Sequence, residues 1–247
     1  MGLMIGLGGP SGGSSKKTML IDVGFDVNAT LVDQSMVNAP NVDTSYLSGA
    51  NKMFAGAIEL VKVPKIDTSR VTNMSYMFDN CTSLEEVPEL DTSSLTNAAY
   101  MFRYCTKLTK NPPVHCPNVL RGNGMFQSCS SLKSVTNLDA EFSECDAIFS
   151  YCSALETVEF LDISSVSATV TPAQNATKLV TCNVFGLKTT IYFETNSALS
   201  KESALYLFEH AKKVSSSKKI KFHANTFNQL TADEIAIATQ KNYSVIC

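Results

Sequence analysis

The chain has 247 residues, of which 44% are hydrophobic and 17% are charged, with a formal net charge of −3 at pH 7. This composition is that of a protein with a buried core, so it excludes a chain that is disordered throughout. The sequence has neither a strongly basic balance nor a run of about 18 apolar residues, so we expect no nucleic-acid partner and no membrane insertion.

The chain begins with a segment rich in glycine and serine, GLGGPSGGSSKKT at residues 6–18. A phosphate-binding loop has the pattern G-x-x-x-x-G-K-[ST], because its glycines let backbone N–H groups turn toward the phosphates. Lys17 precedes Thr18, but Lys16 and Ser11 stand where that pattern needs glycine. We therefore predict a flexible arm over residues 1–18, followed by an N-terminal cap over residues 19–42. A nucleotide-binding enzyme is the least favoured alternative.

Residues 43–187 repeat with a period of 24. A hydrophobic pair recurs at this spacing, as Met53-Phe54, Met77-Phe78, Met101-Phe102, Met125-Phe126 and, after 23 residues, Ile148-Phe149. Three residues beyond each phenylalanine stand Ala57, Cys81, Cys105, Cys129 and Cys152. Repeats of this length are typical of a solenoid, in which each unit buries its apolar face only against its neighbours.

Each repeat divides into two apolar patterns. In the second copy, the apolar residues of the first half are three or four positions apart, which predicts a short helix or 3₁₀ turn with one buried face, formed by Val71, Met74, Met77, Phe78 and Cys81. The following Leu84, Val87 and Leu90 recur every third residue around a proline, which predicts an extended strand. We expect Asp67, Thr68 and Ser69 to be turn or N-cap residues.

The strings DTSRVTNMSYMFDNCTSLEEV at residues 67–87 and DTSSLTNAAYMFRYCTKL at residues 91–108 resemble the repeats of the BspA-like leucine-rich-repeat family. The resemblance covers about residues 43–187 and is most specific in these two copies. It implies an α/β fold, a leucine-rich-repeat solenoid with a short strand and a short helix in each turn of about 24 residues. It also implies an extended binding surface and no enzymatic activity.

Residues 188–247 no longer follow the period, and they predict a small α/β C-terminal module with the order strand, helix, strand, helix, strand. Ser200 is a candidate N-cap for the first helix, and Thr231 with Glu234 forms a capping box for the second. This segment is similar to the one that follows such repeats in proteins predicted from prophage tail regions and other phage structural regions.

Cysteines and histidines are the candidates for chemistry. The eight cysteines include no C-x-x-C pair, and the three histidines are not at metal-ligand spacing to a cysteine pair, so we expect no metal, no cofactor and no catalytic residue. Neighbouring residues such as His115 and Cys116 rarely face each other. We predict that the periodic cysteines and Cys145 are buried and act as small hydrophobic residues.

The remaining candidates for function lie on the surface. Outward positions of the predicted strands give a row of mixed charge, from which we select Lys62, Lys65, Glu86, Glu89, Lys110, Asn137 and Phe160. Tyr104 and Tyr151 precede periodic cysteines, and an outward ring with a hydroxyl group can stack on a sugar or anchor a protein contact. For any one of these residues the alternative is an ordinary solvated position.

The resemblances of the repeats and of residues 188–247 imply a non-enzymatic structural protein of a phage or prophage particle, in the tail, the baseplate or another component. It would use the repeats for assembly contacts or host-surface recognition, with other virion proteins and a host-surface protein or glycan as partners, as a homo-oligomer within the assembly. The start MGLMIGLGG is too short and glycine-rich for a secretory signal. This favours a virion assembled in the bacterial cytoplasm over the alternative, a BspA-type adhesin at the bacterial cell surface.

Overall fold

The computed structural model describes residues 3–5, 19–21, 35, 37–39, 44–45, 47–112, 117–136, 138 and 140–247. Within these residues the chain is mixed α/β. Its elements in chain order are β1 (Leu3–Ile5), β2 (Met19–Ile21), β3 (Ser134–Val135), β4 (Thr157–Asp162), β5 (Thr181–Phe185), β6 (Ile191–Phe193), α1 (Lys201–His210), β7 (Lys218–Phe222), α2 (Ala224–Phe227), α3 (Ala232–Thr239) and β8 (Tyr243–Ile246).

The strands form three small sheets. Strands β1 and β2 pair antiparallel, and two three-stranded parallel sheets have the orders β3-β4-β5 and β6-β7-β8. The rest of the predicted arm, including the glycine-rich segment, and most of the predicted cap lie outside the described residues. The proposed domain boundaries stay predictions.

The prediction of a leucine-rich-repeat solenoid, with a strand and a helix in every turn, is wrong. The described residues form two small three-stranded parallel sheets and few helices, and all of those helices lie at or beyond Lys201. The described part of residues 43–187 consists of tight turns joined by extended segments, of which only β3, β4 and β5 are strands. Its earlier repeats contribute isolated parallel bridges instead of strands, such as those between Lys62 and Glu86 and between Asn73 and Asn97.

The backbone hydrogen bonds explain why no helix forms where the apolar spacing predicts one. Alternate N–H groups of the second repeat donate to the next repeat at 2.8–3.0 Å, namely those of Met74, Tyr76, Phe78 and Asn80 to the carbonyls of Asn97, Ala99, Met101 and Arg103. Of the N–H groups between them, that of Ser75 donates to the Asn73 side chain, and those of Met77 and Asp79 close turns three residues back. An α-helix requires every N–H to bond four residues back, so this pattern excludes it.

Two residues in each of five successive repeats, and one in the sixth, have left-handed backbone conformations, which also prevents a helix. The first left-handed position is occupied by Lys52, Tyr76, Tyr100, Gly124 and Ala147, and the second, four residues later, by Gly56, Asn80, Tyr104, Ser128, Tyr151 and Asn175. All of these residues have φ between 55° and 80°. Residues other than glycine and asparagine adopt such conformations at an energetic cost. The packing and hydrogen bonds between repeats therefore impose the turn geometry.

The core is built from equivalent side chains stacked along the repeats. The buried rings of Phe54, Phe78, Phe102, Phe126 and Phe149 follow one another at 5.3–6.0 Å between centroids. The predicted burial of the periodic cysteines and of Cys145 is confirmed. Each periodic thiol also donates a hydrogen bond to the carbonyl of a phenylalanine in the preceding repeat, as Cys105 does to Phe78 at 3.2 Å.

The D-T-S motif joins neighbouring repeats and closes a local turn. The buried Thr68 Oγ1 donates to the Asp91 carbonyl at 2.9 Å, and Thr44 makes the same bond to Asp67. The Asp67 carboxylate accepts from the Ser69 N–H at 3.0 Å and from the Ser69 hydroxyl at 2.7 Å. Asp67 therefore acts as the predicted turn residue, although no helix follows it.

The C-terminal segment follows its predicted order of elements, with the short helix α2 in addition. Ser200 is the N-cap of α1, and Thr231 and Glu234 form the predicted capping box of α3. Helix α1 packs against β5 at the end of the repeats, and the Tyr243 hydroxyl donates to the Leu187 carbonyl at 2.7 Å. Among the described residues, no helix combines the length and apolar character needed to cross a membrane.

Candidate functional site

The charged candidates lie along one edge of the repeats, where the parallel bridges form. Lys62 bridges to Glu86, and Lys110 to Ser134. The Lys62 ammonium group lies 2.8 Å from the Glu86 carboxylate, and this hydrogen bond raises the pKa of Lys62. Both side chains are exposed, and exposed ion pairs contribute little to stability. The charges on this edge are therefore partly paired with one another.

Two open clefts between neighbouring repeats are lined by charged candidates. Lys65 and Glu89 line one cleft together with Asp67 and Asp91. Glu86 and Lys110 line the other. Hydrogen bonds from Ser69 and Ser93 hold the pKa values of the Asp67 and Asp91 carboxyls below their usual range. In the part of the chain that the structure describes, no group of three or more His, Cys, Asp or Glu side chains is arranged to hold a metal ion.

Phe160 belongs to a row of aromatic side chains where the repeats meet the C-terminal segment. A register shift between Val158 and Leu161 leaves Phe160 on the outer side of β4, where it is 38% exposed. Its ring lies 5.9 Å from that of Phe185, which lies 5.7 Å from the ring of His210. The row therefore connects β4, β5 and α1. The candidate Asn137 lies outside the described residues.

Tyr104 and Tyr151 lie on a different surface, at the second left-handed position of their repeats. Their side chains are 45% and 48% exposed. The other repeats have glycine, asparagine or serine at this position, which fit a left-handed backbone better than a bulky ring does. For a bulky residue the conformation costs roughly 1–2 kcal/mol. Each of these tyrosines therefore adds a conformational cost to folding while about half of its side chain stays in solvent.

Arg103 organises the surroundings of Tyr104. Its guanidinium group makes two hydrogen bonds of 2.8 Å to the Asp79 carboxylate in the preceding repeat. It also lies 5.1–5.4 Å from the ring centroids of Tyr76, Tyr100 and Tyr104, within the range of cation–π attraction. Because a bidentate pair fixes both orientation and charge, Arg103 holds one side of the Tyr104 ring in place.

Tyr76 and Tyr100 complete this surface. Their rings stack with centroids 4.9 Å apart. A Cβ atom at Gly124, whose φ is +58°, would lie 2.4 Å from the Tyr100 ring, so the absence of a side chain there lets the ring lie across the next repeat. We call the surface formed by Tyr76, Asp79, Tyr100, Arg103, Tyr104 and Tyr151 the tyrosine face.

The candidates predicted from the sequence do not include Tyr76, Tyr100, Arg103 or Asp79. The period itself contains the missing signal, because Tyr76 and Tyr100 are one period apart, as are the oppositely charged Asp79 and Arg103. Side chains one period apart are neighbours in the structure. Pairing surface residues at that offset would have identified both contacts.

The buried cysteines have little nucleophilic character. Burial raises the pKa of the Cys81 and Cys152 thiols to about 12, and it also raises the pKa values of Cys105 and Cys129. Because the thiolate is the reactive form, these thiols are protonated and unreactive at neutral pH. His115 and Cys116 lie outside the described residues.

Comparison with known proteins gives one family match. Residues 26–138 match the model of a family described as "Mycoplasma protein of unknown function, DUF285". No curated protein and no solved structure matches the chain. The matched family is related to BspA-like repeats, so over residues 26–138 the chain is similar to a family related to those repeats.

Proposed function

We propose that the chain is a non-catalytic binding protein and that the tyrosine face is its binding surface. The observation that carries this proposal is the placement of Tyr104 and Tyr151 at left-handed positions, with about half of each side chain exposed. The core does not need these rings, because the same position holds Gly56, Asn80 and Ser128 in other repeats. Exposed tyrosines retained at a conformational cost are typical of recognition surfaces.

The tyrosine face suits recognition better than the charged edge does. Tyr104 is held from one side by Arg103, so ordering its ring on binding costs little conformational entropy. The long side chains of Lys62 and Glu86 are exposed and neutralise each other. A partner would have to break that pair and order both side chains.

The setting that we propose is a phage or prophage particle, in which the chain contributes to assembly or host attachment. The resemblance of the repeats and of residues 188–247 to phage-associated proteins supports this setting. Mass spectrometry of purified particles, with antibody labelling in the electron microscope, tests it. Detection of the chain on the bacterial surface and its absence from particles would favour the adhesin alternative.

Retention of the labelled chain on purified host cell envelopes tests the binding surface. We expect the wild-type protein to be retained and the Tyr104→Asn/Tyr151→Asn double variant to lose at least about tenfold in apparent affinity, a typical loss when two anchor residues are removed. The Lys62→Ser/Glu86→Ser double variant is the matched control and should bind like wild type. Equal retention of the tyrosine variant and wild type, or no retention of wild type, would contradict the proposal.

A further inference from the structure

The side chains around Tyr104 and Tyr151 have a common chemistry. In the row that carries both tyrosines and in the adjacent row, one residue earlier in each repeat, the intervening and following repeats present uncharged amides and a hydroxyl, from Gln127, Ser128, Gln174 and Asn175. In the part of the chain that the structure describes, the side chains of Gln127, Ser128 and Gln174 form no intramolecular hydrogen bond. Their donors and acceptors are therefore available to a ligand.

These rows also have no net charge. Their charged members, Asp79 and Arg103, neutralise each other through the bidentate contact. A polyanion such as a nucleic acid needs several unpaired cations along its path, which these rows do not provide. Flat aromatic rings beside neutral amides instead match a sugar chain, because a sugar ring has an apolar C–H face for the aromatic ring and hydroxyl groups at its edge for the amides.

The spacing of the two tyrosines fits a linear chain of sugars. Tyr104 and Tyr151 lie two repeats apart, with Ser128 between them. The phenylalanines of the same three repeats are 5.4 Å and 6.0 Å apart, and neighbouring strands in a sheet are separated by about 4.8 Å. Two tyrosines on one side of the stack are therefore roughly 10 Å apart. If the sugar rings of a chain follow one another at the same spacing as the repeats, every second ring lies over a tyrosine.

We propose that the tyrosine face binds a linear, uncharged polysaccharide that runs along the direction in which the repeats stack. Tyr104 and Tyr151 stack on alternate sugars, while Gln127, Ser128 and Gln174 bond to hydroxyl groups of the sugar between and beside them. This assignment rests on the proposed function, since it names the ligand class of the same surface.

Titration of the full-length protein with maltohexaose, cellohexaose and chitohexaose tests the assignment. The chain has no tryptophan, so its tyrosine fluorescence can be followed directly, with calorimetry as the second measurement. We expect at least one hexasaccharide to bind, with an affinity that added salt does not change.

Tyr104→Asn and Tyr151→Asn should each weaken binding at least tenfold, and Tyr104→Phe should retain it because the ring is kept. The matching disaccharide should bind much more weakly, because it cannot reach both tyrosines.

Two treatments of the host envelopes distinguish the ligand classes. If the ligand is a glycan, periodate oxidation of the envelopes abolishes retention of the wild-type protein and protease digestion does not. The opposite result, with no binding of the hexasaccharides, would overturn the glycan assignment while the proposed function stands. Hexasaccharide binding that survives the Tyr104→Asn/Tyr151→Asn substitutions would overturn the assignment to this face.

Discussion

At the scale of single residues, the side chain at the second left-handed position affects both the stability of the fold and the groups exposed on the surface. The backbone N–H makes the same contact to the next repeat whether the residue is Asn80, Tyr104, Ser128 or Tyr151, with N···O distances of 2.8, 2.9, 2.8 and 2.7 Å. The identity of the side chain therefore changes the conformational cost and what is exposed, and leaves that hydrogen bond intact. Residues that serve binding often reduce stability in this way.

Replacing Tyr151 with asparagine should stabilise the protein. Asparagine tolerates the left-handed conformation, and about half of the tyrosine side chain is exposed, so we expect the free energy of unfolding to rise by about 0.5–1 kcal/mol. Urea unfolding of the two proteins measures the change. Asn80→Tyr is the reverse control and should lower the free energy of unfolding by a similar amount. A clear loss of stability in Tyr151→Asn would show that packing of the Tyr151 ring stabilises the fold by more than its left-handed backbone conformation costs.

The cysteines should divide sharply in their reactivity. Six of those described are buried and Cys247 is exposed, and burial raises the pKa of Cys81 to about 12. In a Cys116→Ser background, a thiol reagent at neutral pH should therefore label one cysteine rapidly and the other six only after denaturation. Mass spectrometry of the labelled peptides identifies them. Rapid native labelling of Cys105 would contradict the buried position of the periodic cysteines.

At the scale of elements, the period identified what is buried but not the backbone structure. Residues that recur every 24 positions occupy equivalent places, so the interior position of Phe78 and Cys81 could be read from the sequence. The absence of a helix could not be read from the sequence, because successive tight turns also place apolar residues three or four positions apart. Whether the N–H of Tyr76 bonds within its own turn or to the next repeat depends on packing between repeats. The capping box at Thr231 was predictable because it is local.

The D-T-S turns predict a dependence of stability on pH. Hydrogen bonds from Ser69 and Ser93 lower the pKa values of Asp67 and Asp91 in the folded protein. A lowered pKa means that the ionised carboxylate stabilises the fold at pH values above about 4, and that this stabilisation is lost as the pH falls through the folded-state pKa.

The Asp67→Ala/Asp91→Ala double variant should therefore have a lower Tm than wild type at pH 7. The difference should shrink below about pH 4 as the wild-type carboxyls become protonated. Thermal melts across this pH range measure it. Asp67→Asn/Asp91→Asn is the control, because its amide oxygens still accept from the serine N–H groups, and it should retain more of the stability at pH 7. A Tm difference that does not change with pH would show that the carboxylate charge is not involved.

At the scale of the whole molecule, the repeats and the C-terminal segment are joined by several contacts. The Ser200 N–H donates to the Val180 carbonyl at 2.8 Å, and the Gly186 N–H donates to the His210 carbonyl at 3.2 Å. The buried hydroxyl of Tyr243 bonds to Leu187. Since these contacts link the last repeats to α1 and β8, we expect the two parts to unfold together.

Two probes can test this cooperativity, because each reports one part. The described helices lie within residues 201–239, so helical ellipticity follows the C-terminal segment, while labelling of Cys105 follows the repeats. We expect the two urea midpoints to coincide. Tyr243→Phe should lower both by the same amount, corresponding to about 1 kcal/mol for the lost hydrogen bond. Separate midpoints would show that the C-terminal segment unfolds on its own.

The backbone at the second left-handed position keeps the same conformation with different side chains, so this position can vary in sequence while the fold is kept. Substitutions at positions 56, 80, 104, 128, 151 and 175 change a row of exposed and half-buried residues and leave the buried side chains of the repeats unchanged. Under the proposed function, substitutions in this row alone would change the ligand that the protein binds. Ser128→Tyr, for instance, would place a third ring between the two already present.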